Sequence, residues 1–90
     1  MSARINVYTT SYCGYCRSAE RLLDQKNLAY DKHDVTNDTT RRRWLVEVTG
    51  RRTVPQIFID GRAIGGYTDL ADLDRRGELD RLLALAPPPA

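Results

Sequence analysis

The sequence contains few of the residues that build disulfide frameworks and metal centres. Its 90 residues include two cysteines and one histidine. Two cysteines form one disulfide at most, which excludes a disulfide-stabilised scaffold. A structural zinc site uses four ligands, whereas Cys13, Cys16 and His33 supply three, so zinc would need a carboxylate as well. We therefore interpret the two cysteines as redox-active and predict no metal site made by the protein alone.

Charge and hydropathy exclude further classes. The formal net charge is only +2, so there is no extended positive field and we expect no nucleic-acid partner. No apolar run approaches the ~20 residues of a membrane-spanning helix, and no signal peptide is evident. We expect a cytoplasmic protein with no membrane partner. The length suits a monomeric single domain over residues 1–90, with a proline-rich tail at 87–90.

Strand-like and helix-like segments alternate along the chain, which predicts an α/β fold. The expected order is β-α-β-α-β-β-α-α, with a four-stranded mixed sheet flanked by helices. A helix joins the first two strands, so these should be parallel, and the Asp60-Gly61 turn makes the last two an antiparallel hairpin. We place the strands at residues 5–9, 28–34, 56–59 and 62–64. We place the helices at 13–26, from 36 or 37 to 50, from 68 or 69 to 77, and around the leucines of 79–85.

The two cysteines lie where the first strand passes into the first helix. Backbone N–H groups at a helix start are unpaired and the helix dipole is positive there, so a thiolate at Cys13 is stabilised. The thiolate is the form that attacks disulfides. Cys16 lies one turn further in, on the same face, and we expect it to be more buried and to have a higher pKa. These positions predict Cys13 as the nucleophile and Cys16 as the resolving thiol.

Three blocks of the sequence resemble the glutaredoxins, most closely the small bacterial dithiol type. They are Tyr8–Cys16, which contains Cys-Gly-Tyr-Cys, Thr53–Ile59 and Gly65–Leu70. The resemblance implies a thioredoxin fold and glutathione-dependent reduction of protein disulfides and of protein–glutathione mixed disulfides. The implied partners are glutathione and proteins that carry disulfides or bound glutathione.

The resemblance also implies a glutathione site. It predicts a cis Val54-Pro55 bond, which leaves the Val54 N–H and C=O to pair with the cysteinyl backbone of glutathione. At the start of the third helix, Thr68 offers its N–H and hydroxyl to the γ-glutamyl carboxylate, and Asp69 takes the ammonium. The full set of expected glutathione contacts is Tyr15, Arg42, Thr53, Val54, Pro55, Gly66, Thr68 and Asp69.

Two departures from the family pattern bear on function. Thr10 stands where a lysine is usual, and Arg42, or more weakly Arg52, is the candidate to bind glutathione's glycine carboxylate instead. Gly14 stands where many dithiol members have proline, and glycine beside Cys13 removes bulk and stiffness.

The second departure leads to an alternative function, a dimer that binds an iron–sulfur cluster. In it, Cys13 of each chain and two glutathiones hold a [2Fe-2S] cluster. Two further alternatives are a redox protein reduced directly by a flavoprotein reductase and a relative that uses mycothiol.

Overall fold

A computed structural model describes residues 4–85 of the chain, and the predicted tail at 87–90 lies outside them. Four strands and four helices follow one another in the predicted order. They are β1 (Ile5–Thr9), α1 (Gly14–Gln25), β2 (Asp31–Asp34), α2 (Thr39–Thr49), β3 (Gln56–Ile59), β4 (Arg62–Gly65), α3 (Tyr67–Arg75) and α4 (Glu78–Ala84).

The strands form one mixed sheet in the order β2-β1-β3-β4. β1 pairs with β2 in parallel, as the helical crossover predicts, and antiparallel with β3. β3 and β4 form the antiparallel hairpin across the Asp60-Gly61 turn. All four residues of β3 are buried, which explains why its sequence is an unbroken apolar run after Gln56.

Side chains on the two faces of the sheet pack into two hydrophobic cores, because successive strand residues point to opposite faces. One core joins Ile5, Val7, Ile57 and Ile59 to leucines of α1, α3 and α4. The other joins Tyr8 and Phe58 to Val35 and to Leu45 of α2, with Trp44 packed against it. Trp44 and Phe58 are therefore structural. Within residues 4–85, no helix has the length and apolar character needed to cross a membrane.

The predicted starts of β2 and α2 are wrong. β2 begins at Asp31 rather than at residue 28, because the N–H of Leu28 still bonds to Leu23 O at the end of α1. α2 is capped by Asp38, whose carboxylate accepts from the N–H of Arg41, rather than by residue 36 or 37. Thr36 is unavailable as a cap because its N–H and hydroxyl both bond to Asp34.

The strand directions bring the three sequence blocks to one end of the sheet. Tyr8, near the end of β1, lies opposite Gln56 at the start of β3, and Ile57 lies opposite Gly65 at the end of β4. The segment after β1, the segment before β3 and the segment after β4 therefore meet at this end.

Candidate active site

Cys13 is the N-cap of α1, which confirms its predicted position at the helix start. Its Sγ accepts a hydrogen bond from the Cys16 N–H at 3.1 Å. No acidic residue lies in the first turn of the helix to oppose a negative charge on this sulfur. The side chain is partly exposed. A substrate disulfide can therefore reach a sulfur that lies at the positive end of the helix dipole.

Cys16 has the opposite environment, as predicted. It is fully buried, and burial is the main cause that raises its pKa to about 12, with the hydrogen bond to Cys13 as the next cause. The backbone of Thr10 and the hydroxyl of Thr9 act against this rise by hydrogen bonding to the sulfur. In the reduced protein Cys16 is thus a protonated thiol with no direct access to solvent.

The Val54-Pro55 peptide bond beside Cys13 is cis, as the resemblance implies. The Cys13 thiol donates to the Val54 carbonyl with 3.5 Å between sulfur and oxygen. The expectation that the Val54 carbonyl is free is therefore wrong while Cys13 is a protonated thiol. The turn before β3 brings this carbonyl against the Cys13 sulfur. Ionisation of Cys13 removes the donor and releases the carbonyl. Thr53, the residue before Val54, is held in place because its carbonyl accepts a hydrogen bond from Gln56 Nε2 at 2.8 Å.

The start of α3 differs from the prediction that Thr68 or Asp69 caps this helix. The N-cap is Gly66, and the Asp69 carboxylate reaches back to accept from the Gly66 N–H at 3.0 Å. The close approach requires glycine at position 65, where φ is +122° and an added Cβ would lie 2.3 Å from Asp69 Oδ2. Thr68 is exposed in the first turn.

Arg51, which the sequence reasoning did not single out, lies beside Asp69. Its Nη1 lies 3.1 Å from Asp69 Oδ2. The pKa of Asp69 is lowered first by the Gly66 N–H and then by this guanidinium. The signal in the sequence is the pair of arginines before Thr53, of which the family pattern points to Arg52 alone.

The remaining predicted residues lie on either side of Cys13. Tyr15 is 69% exposed and stacks on Tyr67 with 6.3 Å between the ring centroids. Arg42 donates to the hydroxyl of Tyr12 at 3.2 Å, and Arg42 and Arg52 line the same groove beside α2. Thr10, in contrast, is fully buried and cannot reach a ligand in place of the usual lysine.

The structure places several of the predicted residues next to one another. Cys13 meets Val54, and a Cβ at Gly66 would lie 3.5 Å from the Pro55 carbonyl oxygen. Gly66 in turn bonds to Asp69. Thr68 and Arg42 lie outside this chain of contacts, on α3 and α2.

The zinc interpretation gains no support. In the part of the chain that the structure describes, no three His, Cys, Asp or Glu side chains are grouped as a metal site requires. His33 lies on β2, where Nε2 is 2.9 Å from Asn6 Oδ1 and the ring stacks on Tyr8 at 4.6 Å.

An accessible sulfur at a helix start, a buried second thiol behind it and a cis-proline turn beside it define a thiol–disulfide oxidoreductase. The Glutaredoxin family model matches residues 5–64. The chain belongs to the glutaredoxin family and has its thioredoxin fold.

Relatives and solved structures agree with this assignment. The chain is 45% identical over 85 residues to Glutaredoxin 1 of Rickettsia conorii, covering 92% of this chain and 83% of that one. It is 42% identical over 81 residues to Glutaredoxin 3 of Escherichia coli, covering 90% of this chain and 98% of that one. The crystal structure of a buckwheat glutaredoxin–glutathione complex matches with a TM-score of 0.85 and 32% identity, covering 90% of this chain and 76% of that one.

Proposed function

We propose that the protein uses glutathione to reduce protein disulfides and protein–glutathione mixed disulfides. The observation that carries this proposal is the asymmetry of the cysteine pair. Cys13 is reachable and accepts a hydrogen bond from the Cys16 N–H at 3.1 Å, whereas Cys16 is fully buried. A substrate therefore meets one sulfur first, and the second sulfur acts only through it.

Reduction of a mixed disulfide needs Cys13 alone. Its thiolate attacks the glutathione sulfur, so the bond from that sulfur to Cys13 forms and the original disulfide breaks. The protein substrate leaves as a thiolate and takes a proton from solvent. A second glutathione thiolate attacks the glutathione sulfur held on Cys13, which yields glutathione disulfide and returns the Cys13 thiolate.

Reduction of a protein disulfide also needs Cys16. Cys13 first forms a mixed disulfide with the substrate, and Cys16 then attacks the Cys13 sulfur while its proton passes to the departing substrate thiolate. Two glutathiones reduce the resulting Cys13–Cys16 disulfide. Once Cys13 is in a mixed disulfide, its charge and its hydrogen bond no longer raise the Cys16 pKa. The resolving thiol thus becomes easier to ionise at the step that uses it.

The contacts with glutathione are part of the proposal. The matching buckwheat structure is a glutaredoxin–glutathione complex, which supports a glutathione site here. We assign the cysteinyl backbone to Val54, the γ-glutamyl ammonium to Asp69, and the glycine carboxylate to Arg42. Tyr15, Thr53, Pro55, Gly66 and Thr68 complete the proposed site.

The decisive experiment measures reduction of a small glutathione mixed disulfide, coupled to glutathione reductase. Cys13→Ser should abolish the reaction, whereas Cys16→Ser should retain it and lose only reduction of protein disulfides. Omitting glutathione should stop turnover. Turnover supported by a flavoprotein reductase without glutathione, or activity in Cys13→Ser, would contradict the proposal.

The glutathione contact at Asp69 has a separate test. Asp69→Asn keeps an oxygen that can accept from the Gly66 N–H but removes the charge that binds an ammonium. It should raise the KM for the glutathione mixed disulfide roughly threefold to tenfold, as expected for a partly exposed charged contact. Asp72→Asn, on the same helix and paired with Arg75 at 2.7 Å, is the matched control.

The second candidate function, cluster binding by a dimer, is favoured by one observation. A Cβ at Gly14 would meet no atom within 4 Å, so there is open space beside Cys13. Buried Cys16 is not available as a ligand, and the four sulfur ligands would be Cys13 of two chains and two glutathiones.

Anaerobic reconstitution with iron, sulfide and glutathione tests this candidate. A brown dimer that requires glutathione and is lost in Gly14→Pro supports cluster binding. A colourless monomer on the sizing column rules it out, and the outcome leaves the disulfide-reductase proposal unaffected.

A further inference from the structure

The ion pair between Arg51 and Asp69 has features that its structural role does not require. Asp69 already caps the first turn of α3 by accepting from the Gly66 N–H. Arg51 adds one contact, from Nη1 to Oδ2 at 3.1 Å, and its side chain remains 54% exposed. Within residues 4–85 this is the one polar contact of the guanidinium, so most of its five donors remain available.

The backbone around Arg51 is fixed, which gives its side chain a defined origin. The Arg51 N–H donates to Thr49 Oγ1 at 3.0 Å, and the Thr49 hydroxyl bonds to Leu45 O at 2.6 Å. Gly50 turns the chain at the end of α2 with φ of +73°. The arginine is therefore presented from an anchored turn toward the start of α3.

The pair presents opposite charges side by side at the surface. An α-amino acid head group carries an ammonium and a carboxylate on one carbon, and its nitrogen and nearer oxygen are about 2.7 Å apart by bond geometry. The Arg51–Asp69 pair, with 3.1 Å between Nη1 and Oδ2, places its opposite charges at a comparable separation. A zwitterion lying antiparallel to the pair places its ammonium on the aspartate and its carboxylate on the arginine.

We propose that Arg51 binds the α-carboxylate of the γ-glutamyl residue of glutathione, so that the Arg51–Asp69 pair recognises the zwitterionic head group as a unit. This inference rests on the proposed glutathione function and adds a specificity-determining residue to it. Arginine suits the role because its planar fork binds a carboxylate through two parallel hydrogen bonds. Exposed ion pairs contribute little to stability, so the pair can rearrange around a ligand at small cost.

The experiment compares glutathione with two analogues of its γ-glutamyl end. 4-Aminobutanoyl-cysteinylglycine lacks the α-carboxylate, and glutaryl-cysteinylglycine lacks the ammonium. Each tripeptide disulfide is equilibrated with protein carrying Cys16→Ser, so that Cys13 forms a mixed disulfide and releases one tripeptide thiol. The equilibrium constant, measured by mass spectrometry after acid quench, then reports the noncovalent contacts because the sulfur chemistry is the same.

The same measurements are then made on protein that carries Arg51→Gln together with Cys16→Ser. Without Arg51→Gln, glutathione should be favoured over the analogue that lacks the carboxylate by roughly threefold to tenfold. In Arg51→Gln this preference should fall at least about twofold, with the contact at Thr68 retaining the rest, and glutaryl-cysteinylglycine should also bind more weakly. Arg75→Gln, which removes an exposed arginine paired with Asp72, controls for net charge and should keep the full preference.

Two results would overturn the inference. One is an unchanged preference in Arg51→Gln. The other is tighter binding of glutathione in that variant, which would mean that Arg51 competes with the ligand for Asp69. Failure of the proposed function looks different, because the protein with Arg51 intact would then show no preference for glutathione over plain cysteinylglycine.

Discussion

The asymmetry of the two cysteines leads to a prediction about their alkylation. Cys13→Ser leaves Cys16 as the one thiol, and Cys16→Ser leaves Cys13, so each can be measured without disulfide formation. We expect Cys13 to react readily with iodoacetamide at pH 8 and Cys16 to react very slowly. The physical reason is that the thiolate is the reactive form, and burial of Cys16 disfavours it.

The size of the effect follows from the pKa of Cys16, raised from 9.0 to about 12. At pH 8 a thiol of pKa 9.0 is about one-tenth thiolate, whereas one of pKa 12 is ionised in about one molecule in ten thousand. The raised pKa can therefore slow the alkylation of Cys16 by at most about a thousandfold. In Cys13→Ser the charge of Cys13 is gone while burial, the largest cause, remains, so we expect suppression of at least about tenfold.

The assay follows each alkylated peptide by mass spectrometry between about pH 6 and 11. The same variant unfolded in urea is the control, since unfolding exposes the Cys16 sulfur and removes the rise in its pKa. Folded Cys16 should approach the unfolded rate only as the pH nears the top of this range. If folded Cys16 reacts within threefold of the unfolded chain at pH 8, the assignment of Cys16 as a buried resolving thiol is wrong.

Two further substitutions test the close approach of Gly65 to Asp69 and the ion pair between Arg4 and Asp60. Gly65→Ala places a Cβ against the Asp69 carboxylate in a backbone conformation that disfavours side chains. Urea denaturation should therefore show that the free energy of unfolding falls by about 2 kcal/mol or more. A fall of less than half that amount would contradict the contact. Arg4→Gln removes bonds to Asp60 and to Leu83 O, and should lower the urea midpoint at pH 7. The hydrogen bond from Arg4 lowers the pKa of Asp60 below 3.8, so this contribution is present above that pH and is lost as pH falls through the lower value. The gap between the midpoints of wild type and Arg4→Gln should narrow in acid, leaving the part due to the carbonyl contacts, and a constant gap down to about pH 2 would refute the role of the ion pair.

The parts of the fold predicted most accurately depend on neighbours in the sequence. β1 and β3 have the predicted bounds because their apolar patterns are set by two buried faces. Gly50 ends α2 in the left-handed region that glycine adopts without strain. The position of Cys13 at a helix start follows in the same way, from a strand pattern on one side and a helical pattern on the other.

The errors at the starts of α2 and α3 occur where more than one side chain could cap the helix. Thr36 and Asp38 are both acceptable helix caps by sequence. Asp38 caps α2 because Thr36 is already hydrogen-bonded to Asp34. At α3, Asp69 is an acceptable cap by type, but the turn at Gly65 lets its carboxylate reach back to Gly66 instead. Neither outcome can be obtained from side-chain propensity, since each depends on the direction of the preceding turn.

Arg51 shows why a resemblance and a pattern together still leave part of the site undetermined. Arg51 and Arg52 are equivalent by sequence, and the family pattern drew attention to the second. Thr49 and Gly50 set the direction of the chain, so that Arg51 reaches Asp69 on α3 while Arg52 faces the groove of α2. The two arginines are therefore neighbours in sequence but face different elements, α3 and α2. Arg51→Gln therefore removes the charge beside Asp69 and leaves Arg52 of the α2 groove in place.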